Sequence, residues 1–322
     1  MYKSFYNLKS NPFEITPDPS FLFPTKQHNE ALAALYYGVR RHKGFVVLTG
    51  EVGTGKTLLL RCLLQLLTRR NDVAYAYVFN GRLSPAEFLQ YIAGDFGLPA
   101  ANKNKSELLL ELARFVIARA QKKLTTVLVV DEAHQLSPSI LEEIRLLTNL
   151  ETAYGKLLQI LLVGQPELDD MLDSVDLRQL KQRVAFRAQL TSLDPSETKG
   201  YIERRLELAG ANSKASVLFP PQTLAAIHRY SGGIPRLINT LCENALIAAY
   251  AKQMRSVAPE IIDDIARTLR LGVVHPSCCL IGQEPDDDEV RRAARTLLNL
   301  YARLQQAAGP RDRTENTSDV LS

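Results

Sequence analysis

The sequence predicts an α/β protein: a five-stranded parallel sheet flanked by helices, followed by a small all-helical unit. Two observations support this fold class. Up to about residue 193, short apolar runs alternate with helical patterns, as is typical of parallel strands covered on both faces. After that point only helical patterns follow. The length of 322 residues and the hydrophobic content of 46% suit about two domains with real cores.

Each predicted strand is a short, mostly apolar run of the kind that is buried inside a sheet. The runs are GFVVLTG (44–50), VAYAYVF (73–79), TTVLVVD (125–131), LLQILLVG (157–164) and VAFRAQLTSL (184–193). One helix is expected before the first strand and another directly after it, at LLLRCLLQLL. The other helices of this region are expected at about 84–95, 105–122, 138–150 and 166–182.

The all-helical unit has a clear predicted start. Asp194 can cap a helix, Pro195 fits the first helical position, and Glu197 lies three residues after the cap. Further helices are expected at about 221–230, 235–252 and 259–270.

A glycine-rich sequence lies between the first predicted strand and its helix. Residues 50–57 read GEVGTGKT and fit the pattern G-x-x-x-x-G-K-[ST]. Glycines there let backbone N–H groups curl around phosphate oxygens at a helix N-terminus. In this pattern Lys56 reaches the β- and γ-phosphates, and Thr57 offers a hydroxyl to Mg²⁺. The predicted phosphate site comprises Gly50, Glu51, Val52, Gly53, Thr54, Gly55, Lys56, Thr57 and Leu58.

Two acidic residues end the third predicted strand. Asp131 can hold Mg²⁺ through water, and Glu132 can act as the general base that polarises the attacking water. The guanine-selective pattern N-K-x-D is absent from the sequence, so ATP is preferred to GTP. A solvated acidic pair at a strand end is the alternative.

These motifs, with the α/β body and the helical unit, resemble the AAA+ ATPases. Six runs resemble more closely the ExeA type of AAA+ P-loop ATPase, the general secretion pathway protein A-like group. They are FYNLKSNPFEITPDPSFLF, GFVVLTGEVGTGKT, VLVVDEAHQL, ILLVGQPEL, LRQLKQRV and SGGIPRLIN. The resemblance covers about residues 1–270 and implies ATP and Mg²⁺ as cofactors.

The resemblance also implies roles for residues outside the two motifs. Gln165 matches the sensor-1 position, which orients the attacking water and often carries Asn in the wider class. Arg178 and Arg183 match the region of the arginine finger, with Arg183 slightly favoured, and a finger acts on a neighbouring subunit's nucleotide. Arg236 matches the sensor-2 arginine, which contacts the γ-phosphate and couples it to the helical lid. The alternatives are a loop glutamine and solvated arginines, and His134 is expected to have a structural or supporting role.

Four segments follow from this interpretation. Residues 1–27 form an irregular segment packing near the nucleotide site, and residues 28–193 form the nucleotide-binding domain. Residues 194–271 form the helical lid, and residues 272–322 contain a linker, a short helix and a disordered tail. Val290, Ala294, Leu297, Tyr301 and Leu304 give that short helix an apolar seam suited to docking on the body or to a partner.

The function expected from the sequence is Mg²⁺-dependent ATP hydrolysis that energises or regulates assembly in a secretion or cell-envelope system. A finger acting in trans implies a homo-oligomer. The alternative is a DNA-associated regulator resembling the transposition ATPases. The net charge of +4 permits contact with nucleic acid, but no dense basic stripe indicates it. A static nucleotide-binding scaffold is a third hypothesis, which the two acidic residues disfavour.

The sequence also bears on location. No apolar run approaches about 18 residues, so no transmembrane helix is expected. We expect a cytoplasmic protein. Larger members of the ExeA group add a membrane span and a peptidoglycan-binding region after the ATPase, and this sequence shows neither. Any envelope role is therefore expected to work through a protein partner, which would also provide any peripheral membrane association.

Overall fold

The computed structural model describes residues 2–69, 71–79, 83–153, 155–211 and 215–272. The strands of this part of the chain are β1 (Phe45–Gly50), β2 (Val73–Val78), β3 (Thr125–Val130), β4 (Glu151–Thr152), β5 (Gly155–Lys156), β6 (Leu158–Gly164) and β7 (Val184–Leu190). Five of them form one sheet in the order β2-β3-β6-β1-β7, with every neighbouring pair parallel. The predicted five-stranded parallel sheet is confirmed.

Helices cover this sheet, and in the described part of the chain only helices follow β7. They are α1 (Tyr2–Phe5), α2 (Lys26–Arg40), α3 (Lys56–Thr68), α4 (Pro85–Asp95), α5 (Lys105–Gln121), α6 (Pro138–Leu147), α7 (Glu167–Leu172), α8 (Arg178–Lys181), α9 (Pro195–Leu208), α10 (Ala215–Leu218), α11 (Pro221–Ser231), α12 (Pro235–Ala251) and α13 (Pro259–Thr268). The helix start at Asp194 is confirmed, because its side chain accepts a hydrogen bond from the Glu197 backbone. Short 3₁₀ turns lie at 19–21, 133–135 and 175–177.

One predicted helix is wrong in its extent. The pattern at about 166–182 is not continuous but divides into α7, a 3₁₀ turn and α8. Ser174 has extended backbone angles and begins the turn, a position that serine favours over a helix interior. The antiparallel pair β4 and β5 and the short helices α1 and α10 were not predicted. The predicted terminal helix and tail lie outside the described residues.

The three central strands of the sheet, β1, β3 and β6, are buried on both faces. In β1, Phe45 and Val47 belong to a cluster with residues of α4, α5 and α6. Val46 and Leu48 belong to a second cluster with residues of α2 and α3. Alternate residues of one strand thus fill two cores, which explains why the central strands are mostly apolar.

A third cluster joins α9, α11, α12 and α13 of the lid. The N-terminal segment contributes to it through Tyr2, Tyr6, Leu8 and Phe13. Most of this segment's buried aromatic surface therefore packs on the lid rather than on the sheet. None of the described helices combines the length and apolarity needed to cross a bilayer.

Candidate nucleotide site

The glycine-rich residues 50–57, hereafter the P-loop, connect β1 to α3. Gly53 (φ +85°) and Gly55 (φ +101°) adopt left-handed backbone conformations that favour glycine. A Cβ atom on Gly53 would lie only 2.7 Å from the Cβ of Arg236 in the lid. The loop leads into the first turn of α3, whose free N–H groups make a helix N-terminus suitable for an anion.

Lys56 begins α3 and is only 6% exposed. Its Nζ atom donates to the carbonyl oxygens of Gly50 (2.6 Å) and Glu51 (2.9 Å). Burial lowers the pKa of Lys56, while the carboxylates of Glu132, Asp131 and Glu51 oppose that lowering. An ammonium group has three donors, so one remains for a phosphate oxygen.

Asp131 follows β3 and is 5% exposed. Its Oδ2 atom accepts hydrogen bonds from the hydroxyls of Tyr77 (2.7 Å) and Thr57 (3.2 Å). Its Oδ1 atom accepts from the backbone N–H of Glu132 (2.9 Å). Burial raises the pKa of Tyr77, and the charge of Asp131 raises it further, so the Tyr77 hydroxyl keeps its proton and remains a donor.

The oxygen atoms of Thr57 and Asp131 fit a magnesium ion. Hydroxyl and carboxylate oxygens are hard ligands, and Mg²⁺ characteristically takes one or two carboxylates together with water and substrate phosphates. Within the residues that the structure describes, there is no cluster of three or more His, Cys, Asp and Glu able to hold a metal by itself. The arrangement thus suits a metal that arrives with a phosphate ligand.

The predicted base and sensor residue meet at one imidazole ring. Glu132 has a left-handed backbone (φ +52°) and precedes the 3₁₀ turn Ala133–Gln135. The Nδ1 atom of His134 lies 3.5 Å from Glu132 Oε2. Its Nε2 atom lies 2.9 Å from the Nε2 atom of Gln165. Gln165 follows β6, the neighbour of β3 in the sheet.

The lid forms one wall of the cleft over the P-loop. Its lining includes P-loop residues, Glu132 and Arg236. Arg236 is exposed, and its backbone N–H donates to the carbonyl oxygen of Gly53 (3.2 Å). The lid helix α12 thus contacts the P-loop directly, through a backbone hydrogen bond from its first turn.

Several lining residues could not be identified from the sequence. They are Ile15, Thr16 and Pro17 of the N-terminal segment, and Tyr201, Arg205 and Asn239 of the lid. Arg205 is buried between the rings of Phe21 (5.0 Å) and Tyr201 (5.1 Å) and donates to the Pro12 carbonyl. In the sequence these side chains look like ordinary helix and loop residues, because nothing local marks their partners.

The predicted finger residues lie away from the cleft lining of their own chain. Arg183 donates to the carbonyl oxygen of Arg145 (3.3 Å), to Asn149 Oδ1 (2.6 Å) and to the Thr148 hydroxyl, at the C-terminal end of α6. Arg178 is exposed at the start of α8. A role for either residue at a nucleotide requires a second copy of the chain and stays a prediction.

Comparison with known proteins places these features in a wider group. Residues 39–172 match the AAA domain family. General secretion pathway protein A of Aeromonas hydrophila is 46% identical over 253 residues, which cover 78% of this chain. The chain spans only 45% of that relative's length.

Solved structures share the fold at low sequence identity. The Aeropyrum pernix ORC2 protein in its ADPNP-ADP complexes has a TM-score of 0.60 at 19% identity, covering 80% of this chain and 71% of its own. Drosophila ORC bound to DNA has a TM-score of 0.64 at 17% identity, covering 81% and 65%. The Thermotoga maritima RuvB branch migration motor has a TM-score of 0.51 at 16% identity, covering 76% and 70%.

Proposed function

This chain belongs to the AAA P-loop ATPases of the ExeA type, and on that premise we propose that it binds ATP with Mg²⁺ and hydrolyses it to ADP and phosphate. One observation carries the proposal. Lys56 and Thr57 come from one part of the sequence and Asp131 and Glu132 from another, and the two pairs meet at one end of the sheet, where the Thr57 hydroxyl donates to Asp131.

Each residue has a role that follows from its position. Lys56 and the N–H groups of the P-loop bind the phosphates, and the buried Lys56 ammonium directs its free donor toward them. Thr57 and Asp131 would hold Mg²⁺, which neutralises charge on the β- and γ-phosphate oxygens when bound. Glu132 polarises the attacking water as general base, and Gln165 helps to orient it.

The lid and a second subunit complete the proposed site. The exposed guanidinium of Arg236 contacts the γ-phosphate, so that the angle of the lid depends on the bound nucleotide. Arg183 or Arg178 acts as the finger on the nucleotide of a neighbouring copy, which makes the active form a homo-oligomer.

We propose that ATP turnover serves a secretion or cell-envelope assembly system. The support is the 46% identity to General secretion pathway protein A, a relative of which the chain spans less than half. A cytoplasmic protein could act on such a system through a protein partner, which would also bring it to the membrane.

The test is ATP turnover by the purified full chain, with and without Mg²⁺, beside a Glu132→Gln variant. We expect turnover to fall by about 10²- to 10⁴-fold in the variant, the usual contribution of a general base, while ATP binding persists. Glu30→Gln, the same change on an exposed carboxylate of α2, is the matched control. Turnover that survives Glu132→Gln would refute the assignment. Stimulation by duplex DNA would favour the DNA-associated alternative.

A further inference from the structure

We propose that His134 is a positioning residue of this ATP site, which couples the side chain of Gln165 to the general base Glu132. The inference rests on the proposed ATPase function. Glu132 and Gln165 follow different strands, and the imidazole of His134 is the group that contacts both, at 3.5 Å and 2.9 Å. Its side chain is 13% exposed, so the protein rather than solvent holds the ring in place.

The fold brings His134 to Gln165 through close packing of the 3₁₀ turn on the end of β6. A Cβ atom added to Gly164 would lie 3.2 Å from the backbone nitrogen of His134 and 2.9 Å from a side-chain carbon of Leu168. Glycine at the end of β6 therefore lets the turn approach the strand. The approach places the imidazole beside the residue that follows Gly164.

Both ring nitrogens of His134 contact Gln165. The Nε2 atom lies 2.9 Å from the side-chain amide of Gln165, and the Nδ1 atom accepts a hydrogen bond from the Gln165 backbone N–H (3.4 Å). Two contacts with one residue fix the plane of the ring, and the fixed ring lies with Nδ1 3.5 Å from Glu132 Oε2. A change at Gln165 is therefore transmitted to Glu132 through the ring.

A double-mutant cycle tests the coupling in the full chain. His134→Ala should lower kcat by about tenfold to a hundredfold, the effect of removing groups that orient a reacting residue, with KM for ATP little changed. His134→Ala with Gln165→Ala should be no slower than the slower single variant, since both act through one chain of contacts. Gln135→Ala, an exposed residue of the same turn, is the matched control and should match the wild type. Additive losses in the cycle would overturn the proposal.

A second measurement reads the ring directly. In ¹⁵N-histidine-labelled protein, the ring signals of His134 should shift in Gln165→Ala and stay unchanged in Gln135→Ala, because the ring contacts Gln165 through both nitrogens. Ring signals that do not respond to Gln165→Ala would overturn the proposal. Failure of the wild type to bind ATP, or turnover indifferent to Glu132→Gln, would instead refute the proposed function. Normal Glu132-dependent turnover with an additive cycle would refute the coupling alone.

Discussion

Gly233, between α11 and α12, allows a direct test of how the lid is joined to the sheet domain. Its backbone is left-handed (φ +75°), and an added Cβ atom would lie 1.9 Å from the carbonyl oxygen of Leu193. The backbone N–H of Leu193 in turn donates to the Gly233 carbonyl (2.9 Å). Leu193 lies between β7 and α9, so Gly233→Ala must displace backbone at the junction of the two units.

The expected cost can be worked from these contacts. A left-handed conformation costs an alanine about 1 to 2 kcal/mol, and loss of the Leu193 hydrogen bond adds about 0.5 to 1.5 kcal/mol. We therefore expect Gly233→Ala to lower the free energy of unfolding by about 1.5 to 3.5 kcal/mol. Gly97 has nearly the same angle (φ +76°) with no atom within 4 Å of an added Cβ. Gly97→Ala should lose only the conformational part, about 1 to 2 kcal/mol.

Urea unfolding followed by circular dichroism measures both variants against the wild type. ATP affinity on the same samples should fall for Gly233→Ala alone, because its displacement extends to the α12 turn that contacts the P-loop. Equal losses of stability in the two variants would refute the steric argument and leave only backbone strain.

Three other predictions concern residues around the site. Tyr77→Phe removes a hydrogen-bond donor to Asp131. The Mg²⁺ concentration for half-maximal turnover should rise about tenfold, because groups that hydrogen-bond to metal ligands strengthen metal binding. An unchanged Mg²⁺ dependence of turnover would contradict this role of Tyr77. Arg236→Ala keeps the backbone contact with the P-loop but should lower turnover at least about tenfold without shifting the unfolding midpoint; undiminished turnover excludes a role for the guanidinium. Burial lowers the pKa of His28 in the folded protein. Below about pH 6.5 the unfolded chain therefore binds a proton that the folded chain does not. The free energy of unfolding should consequently fall as the pH drops from about 7 to 5. His28→Gln should flatten this slope in urea titrations, and a slope equal to that of the wild type would contradict the assignment to His28.

Much of the geometry of the candidate phosphate site could be predicted because its residues are contiguous in the sequence. The P-loop is one run of residues whose glycines set the backbone angles locally, and the strand before it and helix after it have clear patterns. Asp131 and Glu132 were predictable for a related reason. They stand where an apolar strand ends, and parallel strands bring such ends to one edge of the sheet.

The sequence by itself determined the fold class, the P-loop, the acidic pair and the helix start at Asp194, because each depends on residues that are neighbours in the chain. Only the tertiary structure decided which groups surround them. His28 contacts the carbonyl oxygen of Thr54 in the P-loop. Arg205 donates a hydrogen bond to the carbonyl oxygen of Pro12, which is 193 residues away in the sequence. His134 meets Gln165 only because β3 and β6 are adjacent in the sheet. Such contacts depend on the order of strands and the packing of layers, and no local pattern of residues specifies either one.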